Sequence, residues 1–240
     1  RGVRVTMVEG AEWLLRRQLT PRAGQLLAAH LESLGIGLRT GARTDELTGD
    51  ERVRGVRLAD GTTLAADLVV VATGVRPDIS LARQAGLRTN VGVLVDDRLR
   101  SSGDGVYAAG DLAEHRGVCY GTWAPAQYQG TIAGINAAGG FAEFAGMAPA
   151  NTLKVLDIGV FSIGTVRPRD PGDLMIEVVM GTSYAGFLFR GERLAGAVLL
   201  GDTTLALALR AAIDGLQDLS ALLRTKPGVQ QVVDWFAAAR

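Results

Sequence analysis

Val106-Tyr107-Ala108-Ala109-Gly110-Asp111 is a short apolar run that ends on a glycine and then a carboxylate. Val106 and Tyr107 are β-formers, so the run is expected to be a buried strand. Gly110 lets the backbone approach a neighbour with no Cβ in the way. Asp111 then stands at the C-terminal end of the strand, where open α/β sheets bind ligands. A plain strand-ending turn uses the same residues, so the remainder of the chain has to decide between the two readings.

The bulk numbers narrow the classes. Of 240 residues, 48% are hydrophobic and 21% charged, and 25 basic side chains balance 25 acidic ones. That length suits one large domain or two small ones. The charge balance argues against a nucleic-acid partner, which calls for a basic excess. No apolar run reaches the roughly 18 residues of a membrane span, and no signal-peptide pattern is read. Cys119 is the single cysteine. It excludes an internal disulfide and a Cys-X-X-Cys pair and points to a cytoplasmic protein. The chain opens at Arg1, directly ahead of a strand, as a fragment would.

Working outward, Val3 to Val8 alternates and reads as a strand closed by Glu9 and Gly10. Leu27, Leu31 and Leu34 form a helical stripe over Pro21 to Leu34, with Thr20 as N-cap, Pro21 at the first helical position and Gly35 as the stop. Gly37 to Thr40, Arg43 to Leu47 and Val53 to Leu58 are short strands, and Asp60-Gly61 marks a hairpin into Thr62-Thr63-Leu64. Asp67 to Thr73 is almost continuously apolar, as expected of a strand buried on both faces. A short helix at Leu81 to Ala85 and a strand at Val93 to Val95 follow. An Ala-rich helix then runs from Trp123 to about Ala138. Beyond about residue 150 the chain is strand-rich, with a turn at Asp170 to Asp173 and a hairpin at Gly191-Glu192. Two helical stripes, on Leu205 to Ile213 and Val229 to Phe236, end it. The expectation is a separate C-terminal α+β domain that begins near Ala148-Pro149-Ala150.

Each candidate for chemistry has a plain structural alternative. Glu9, a carboxylate after a strand, can accept from adenosine ribose hydroxyls and repel a 2′-phosphate, or it can be a solvated strand end. Arg16 and Arg17 are expected on a solvated face. Thr73-Gly74 can bring backbone close to a ligand or simply end a strand. Thr122 can cap the next helix, and Pro125 suits its first turn. Its free N–H groups, at Trp123 and Ala124, would stabilise negative charge, or the helix can be an ordinary capped one. Gly35, Gly37 and Gly41 have the wrong spacing and context for a phosphate loop. Cys119 is expected to be inert, His30 to lie on the polar side of its helix and His115 to have no partner. No metal constellation or nucleophile triad is found.

Taken in order, the strand ending in Glu9, Ala72-Thr73-Gly74-Val75-Arg76-Pro77-Asp78 and Val106 to Asp111 resemble the pyridine nucleotide-disulfide oxidoreductases. Tyr120-Gly121-Thr122-Trp123-Ala124-Pro125-Ala126, Asn151 to Lys154 and Phe161 to Gly164 look most like rubredoxin reductases and the reductase part of nitrite reductase large subunits. The resemblance implies an α/β chain, a partial two-dinucleotide-binding (FAD/NAD(P)) Rossmann-like fold with a C-terminal α+β domain. Residues 1–78 would be part of the NAD(P)-binding domain, 79–148 the C-terminal part of the FAD-binding domain and 149–240 the docking or dimerisation domain. It implies an FAD-dependent oxidoreductase, with NADH favoured over NADPH. Glu9 would hold the NADH ribose and Gly110-Asp111 the flavin ribityl chain. Thr73-Gly74 and the helix start at Thr122, Trp123 and Ala124 would lie near the flavin ring. Implied partners are an electron-acceptor protein or small molecule, and either a second copy or a subunit supplying the N-terminal half. Neither family glycine fingerprint is present, so this chain by itself is expected to bind FAD weakly or not at all. The other expectation is a non-catalytic module that docks onto a separate flavin-binding subunit.

Overall fold

The computed structural model describes residues 2–238. In chain order its elements begin with strand β1 (Thr6–Glu9), helix α1 (Pro21–Ser33) and strands β2 (Gly37–Thr40), β3 (Thr44–Thr48), β4 (Gly55–Leu58) and β5 (Thr63–Ala65). Helix α2 (Ser80–Gln84), strands β6 (Val93–Val95) and β7 (Ala113–His115) and helix α3 (Trp123–Ala137) follow. Then come strands β8 (Ala150–Val155), β9 (Ile158–Gly164), β10 (Asp173–Met180), β11 (Ser183–Arg190) and β12 (Arg193–Leu200). Helices α4 (Ala206–Asp214), α5 (Ser220–Leu223) and α6 (Val229–Ala238) complete the chain. It divides into two compact units, Val71–Met147 and the described residues of Arg1–Val70 with Ala148–Arg240.

In the larger unit β1 and β2 pair in parallel, Thr6 opposite Gly37 through Glu9 opposite Thr40. α1 connects them, as a parallel pair requires. β1 begins at Thr6 rather than Val3 because β2 offers only these four positions, and Val3 and Val5 stay exposed. Thr20 caps α1: its Oγ1 accepts the Ala23 N–H at 3.2 Å. Gly35 follows the helix with φ +80, a conformation that suits glycine. β3, β4 and β5 form an antiparallel sheet, its second hairpin closing at Asp60-Gly61 as expected.

Residues 150–200 fold into one five-stranded antiparallel sheet in the order β10-β11-β12-β9-β8. Successive side chains of a strand point to opposite faces. On β11 and β12, Ala185, Phe187, Ala197 and Leu199 enter a core with α4 and α6. Tyr184, Val198 and Leu200 enter another with Leu19, Leu27 and Leu31 around α1. Because both faces are covered, β12 reads as the unbroken run Ala197-Val198-Leu199-Leu200.

The smaller unit carries two corrections. Residues 67–73, which lead into it, form no strand. Leu68 and Val70 are each 79% exposed and Val75 is 91% exposed. A buried strand needs a ladder partner and covering layers, and among the described residues nothing pairs with this segment. Val106 to Ala109 is likewise not a strand. Tyr107 makes only an isolated antiparallel bridge to Arg100. The facing segment turns away at Leu99, φ +60, after two bonds, Ser101 N–H to Val106 O and Ala108 N–H to Leu99 O. The parallel pair in this unit is β6 with β7. Leu99, Ile132, Ala133 and Phe144 make its core.

Candidate functional site

Glu9 lies where the sequence places it, at the C-terminal end of the parallel pair. The side chain is half-buried. Oε1 accepts the Ala11 N–H at 2.8 Å, while the backbone carbonyl accepts the Ala42 N–H at 3.1 Å. Oε2 has no protein partner among the described residues. One carboxylate oxygen thus fixes the turn and the other is left to accept from a ligand hydroxyl. Arg16 and Arg17 are exposed as expected, yet Arg16 is not free: its guanidinium sits 5.5 Å from the centre of the Trp13 ring, which Arg167 also approaches at 5.4 Å. Beyond β2 an open groove of about 460 Å³ is lined by Arg39, Gly41, Arg43, Leu58 and Asp60, a basic edge that no sequence motif announced.

In the smaller unit Gly110 and Asp111 open a single 3₁₀ turn, Gly110–Leu112, between Ala109 in extended conformation and β7. Gly110 has φ +81, so a side chain there would be strained. α3 packs against this turn. The Gly110 N–H donates to Gln129 Oε1 at 2.8 Å, and a Cβ on Gly110 would lie 3.6 Å from that of Ala126. Asp111 is exposed and makes no hydrogen bond or ion pair among the described residues. Thr122 occupies the N-cap position of α3, but its side chain makes no capping bond. This corrects the expected cap, and it leaves the first N–H groups of the helix without that acceptor. Trp123 is 79% exposed and Ala124 is exposed beside it. A glycine turn with a free carboxylate and an uncapped helix start is an arrangement that fits a flavin: hydroxyls can donate to Asp111, and negative charge suits the helix end.

Thr73 and Gly74 are exposed, with open space around Gly74, and no hydrogen bond or ion pair ties them to the Asp111 turn among the described residues. His115 contradicts the expectation that nothing pairs with it. It is buried, 1% exposed, and its Nε2–H donates to Asp97 Oδ1 at 2.8 Å. Arg116 donates to both oxygens of the same carboxylate, at 3.0 and 2.7 Å, and holds the carboxyl at about 2, with His115 adding to the effect. Phe144 makes steeply inclined ring contacts with His115, Tyr120 and Tyr128, with centroids 4.9 to 5.7 Å apart. Cys119 is half-buried and burial raises its thiol pKa, in line with an inert cysteine. His30 is half-exposed and donates to Leu156 O at 2.8 Å. The residues that sequence reading missed are Gln129, Asp97 and buried Glu114. Glu114 accepts from Asn90 and the Gly92 N–H at 2.9 Å each. Their partners lie 18 to 24 residues away, so no local spacing marked them.

The fold places the chain in the Rossmann-like α/β class of FAD- and NAD-linked proteins. The pattern of the pyridine nucleotide-disulphide oxidoreductase family matches residues 1–130, and that of the rubredoxin NAD+ reductase C-terminal domain matches residues 149–215. The chain belongs to the pyridine nucleotide-disulphide oxidoreductase family. It is 34% identical over 221 residues to the nitrite reductase [NAD(P)H] of Bacillus subtilis, a match covering 91% of this chain and 28% of that protein. Over 203 residues it is 29% identical to the NADH-rubredoxin oxidoreductase of Clostridium acetobutylicum, covering 85% of this chain and 50% of that one. Among solved structures it is similar to an FAD-dependent pyridine nucleotide-disulphide oxidoreductase from Desulfovibrio vulgaris. That match has a TM-score of 0.78 and 25% identity and covers 99% of this chain and 64% of the other. The chain therefore spans from about a quarter to half of the curated relatives it matches. Among the described residues no helix is long and apolar enough to cross a membrane, and no group of three His, Cys, Asp or Glu could hold a metal ion.

Proposed function

We propose that this chain works in an FAD-dependent NAD(P)H oxidoreductase that passes electrons from NADH through FAD to an acceptor such as rubredoxin, another redox centre or a nitrite reductase centre. Residues 1–78 would serve the nicotinamide nucleotide, 79–148 the flavin and 149–240 docking or dimer contacts. The observation that carries this reading is the exposed Asp111 carboxylate, free of protein partners in a turn that α3 holds in place. In it Asp111 accepts from ribityl hydroxyls, and the α3 start at Thr122, Trp123 and Ala124 supplies N–H groups near the ring. Thr73-Gly74 supplies close backbone. The flavin supplies the hydride and electron chemistry, while the protein positions and tunes it. Glu9 offers its free oxygen to the adenosine ribose and would repel a 2′-phosphate, which favours NADH.

The test is spectroscopic and kinetic. The protein from its complete reading frame should show a bound-flavin band near ~450 nm. Glu9→Ala should raise KM for NADH roughly tenfold, the equivalent of a lost hydrogen bond to a charged group, with a smaller change for NADPH. Unchanged kinetics with both nucleotides would refute the role of Glu9. A second reading rests on the exposed Leu68, Val70, Val71 and Val75. An unpaired apolar segment of this kind suits a non-catalytic module docked on a separate flavin-binding subunit. A protein that stays colourless with added FAD, and gains colour only with such a subunit, would select this reading.

A further inference from the structure

We infer that Gln129 is the residue that sets the pose of the Gly110-Asp111 turn, and through it the flavin affinity; this rests on the flavin reading of Asp111. Gln129 is fully buried, at 0% exposure, as the seventh of the 15 residues of α3, where an apolar residue would be the default. Its Oε1 accepts the Gly110 N–H at 2.8 Å. Its Nε2 is buried and has no hydrogen-bond partner among the described residues. A buried amide with one end unsatisfied is costly, and a leucine of similar size would remove that cost. What a leucine could not do is hold the Gly110 amide. That amide belongs to the peptide just before the residue at φ +81, so its orientation governs how the chain enters the 3₁₀ turn bearing Asp111. Asp111 itself has no protein partner to hold it among the described residues. The Gly110 N–H bond to Gln129 is the side-chain hydrogen bond that fixes this turn among the described residues. Gln129 is thus a positioning residue: it acts on the ligand through Gly110 and Asp111.

The proposal separates stability from binding, which a merely structural role would not do. Gln129→Leu removes both the acceptor and the orphaned donor. In the protein from its complete reading frame, the variant should stay folded, because loss of the orphaned Nε2 offsets the Gly110 N–H left unpaired, yet weaken FAD binding about tenfold, measured by quenching of flavin fluorescence. Gln129→Met, which keeps the unbranched shape, serves if Leu disturbs packing. A double-mutant cycle with Asp111→Asn adds a second readout, because residues acting through one turn are non-additive. Once Asp111→Asn is present, Gln129→Leu should cost less than about threefold. Folded Leu and Met variants that bind FAD like the wild type, or losses that simply add, would overturn the inference and leave the flavin reading intact. A wild-type protein that takes up no FAD would overturn the flavin reading and this inference with it.

Discussion

Asp97 accepts three hydrogen bonds from two adjacent residues, His115 and Arg116. Its backbone carbonyl also accepts the Phe144 N–H at 2.7 Å, and Arg116 donates to Ala145 O at 3.2 Å. The cluster therefore clasps the segment after α3 to the end of β7. The Arg116 hydrogen bonds, then those from His115, lower the Asp97 carboxyl from 3.8 to about 2. A depressed folded-state value contributes stability that is complete above the unfolded value and is lost as pH falls through the folded one. The relevant window is thus roughly pH 4 down to 2. Asp97→Asn should lower Tm at pH 7, and the gap from wild type should shrink across that window in circular-dichroism melts. A gap that stays constant from pH 7 to 2 would rule out the charged clasp. Little of this could be read from the sequence, because Asp97, in a turn, and His115, at the end of β7, lie 18 residues apart. Glu9 could be read because it closes a strand, and Gly110-Asp111 because the pair marks a turn, although the strand expected before it does not form.

α1 and two hairpins, whose ends are marked by side chains, match their sequence reading. α1 has Thr20 before it, Pro21 at its start and Gly35 after it. β4 and β5 meet at Asp60-Gly61, and β11 and β12 at Gly191-Glu192. Thr20 does more than cap. While Oγ1 accepts from Ala23, it donates to Tyr184 Oη at 2.9 Å, and that hydroxyl donates to Glu177 Oε2 at 2.5 Å. Burial, then the bond to Glu177, pushes the Tyr184 pKa up, so the hydroxyl stays protonated as a donor. Thr20→Ala should cost about 1–2 kcal/mol in urea unfolding, and Thr20→Ser should recover most of it. A loss equal for Ala and Ser would place the effect in packing rather than the hydroxyl. The segments at 67–73 and 106–109 depart from their reading for one reason. Apolar β-formers state a preference for a strand, but a strand exists only where another segment meets its edge.

At the scale of the molecule, the five-stranded sheet carries a core on each face. One holds Phe187 stacked on Phe236 of α6, with ring centroids 6.2 Å apart. The other holds the residues of α1, so residues 148–240 share a compact unit with residues 1–70. Phe236 is fully buried. Phe236→Ala should cost about 3–5 kcal/mol, seen as a lower midpoint in denaturant. Loss of under about 1 kcal/mol would mean that α6 does not complete this core.

The sequence by itself determined the α/β class, the family, most helices, the hairpins at Asp60-Gly61 and Gly191-Glu192, and Glu9 at the end of its strand. All of these depend on residues within a few positions of one another, where periodicity, caps and turn glycines act. The tertiary structure decided what those signals could not reach. It put Gln129 beneath the Gly110 amide, paired His115 with Asp97 and set α1 against a sheet more than a hundred residues away. Such contacts form only when distant segments are buried together, and side chains with no local signature then become the ones that hold the turn and the clasp in place.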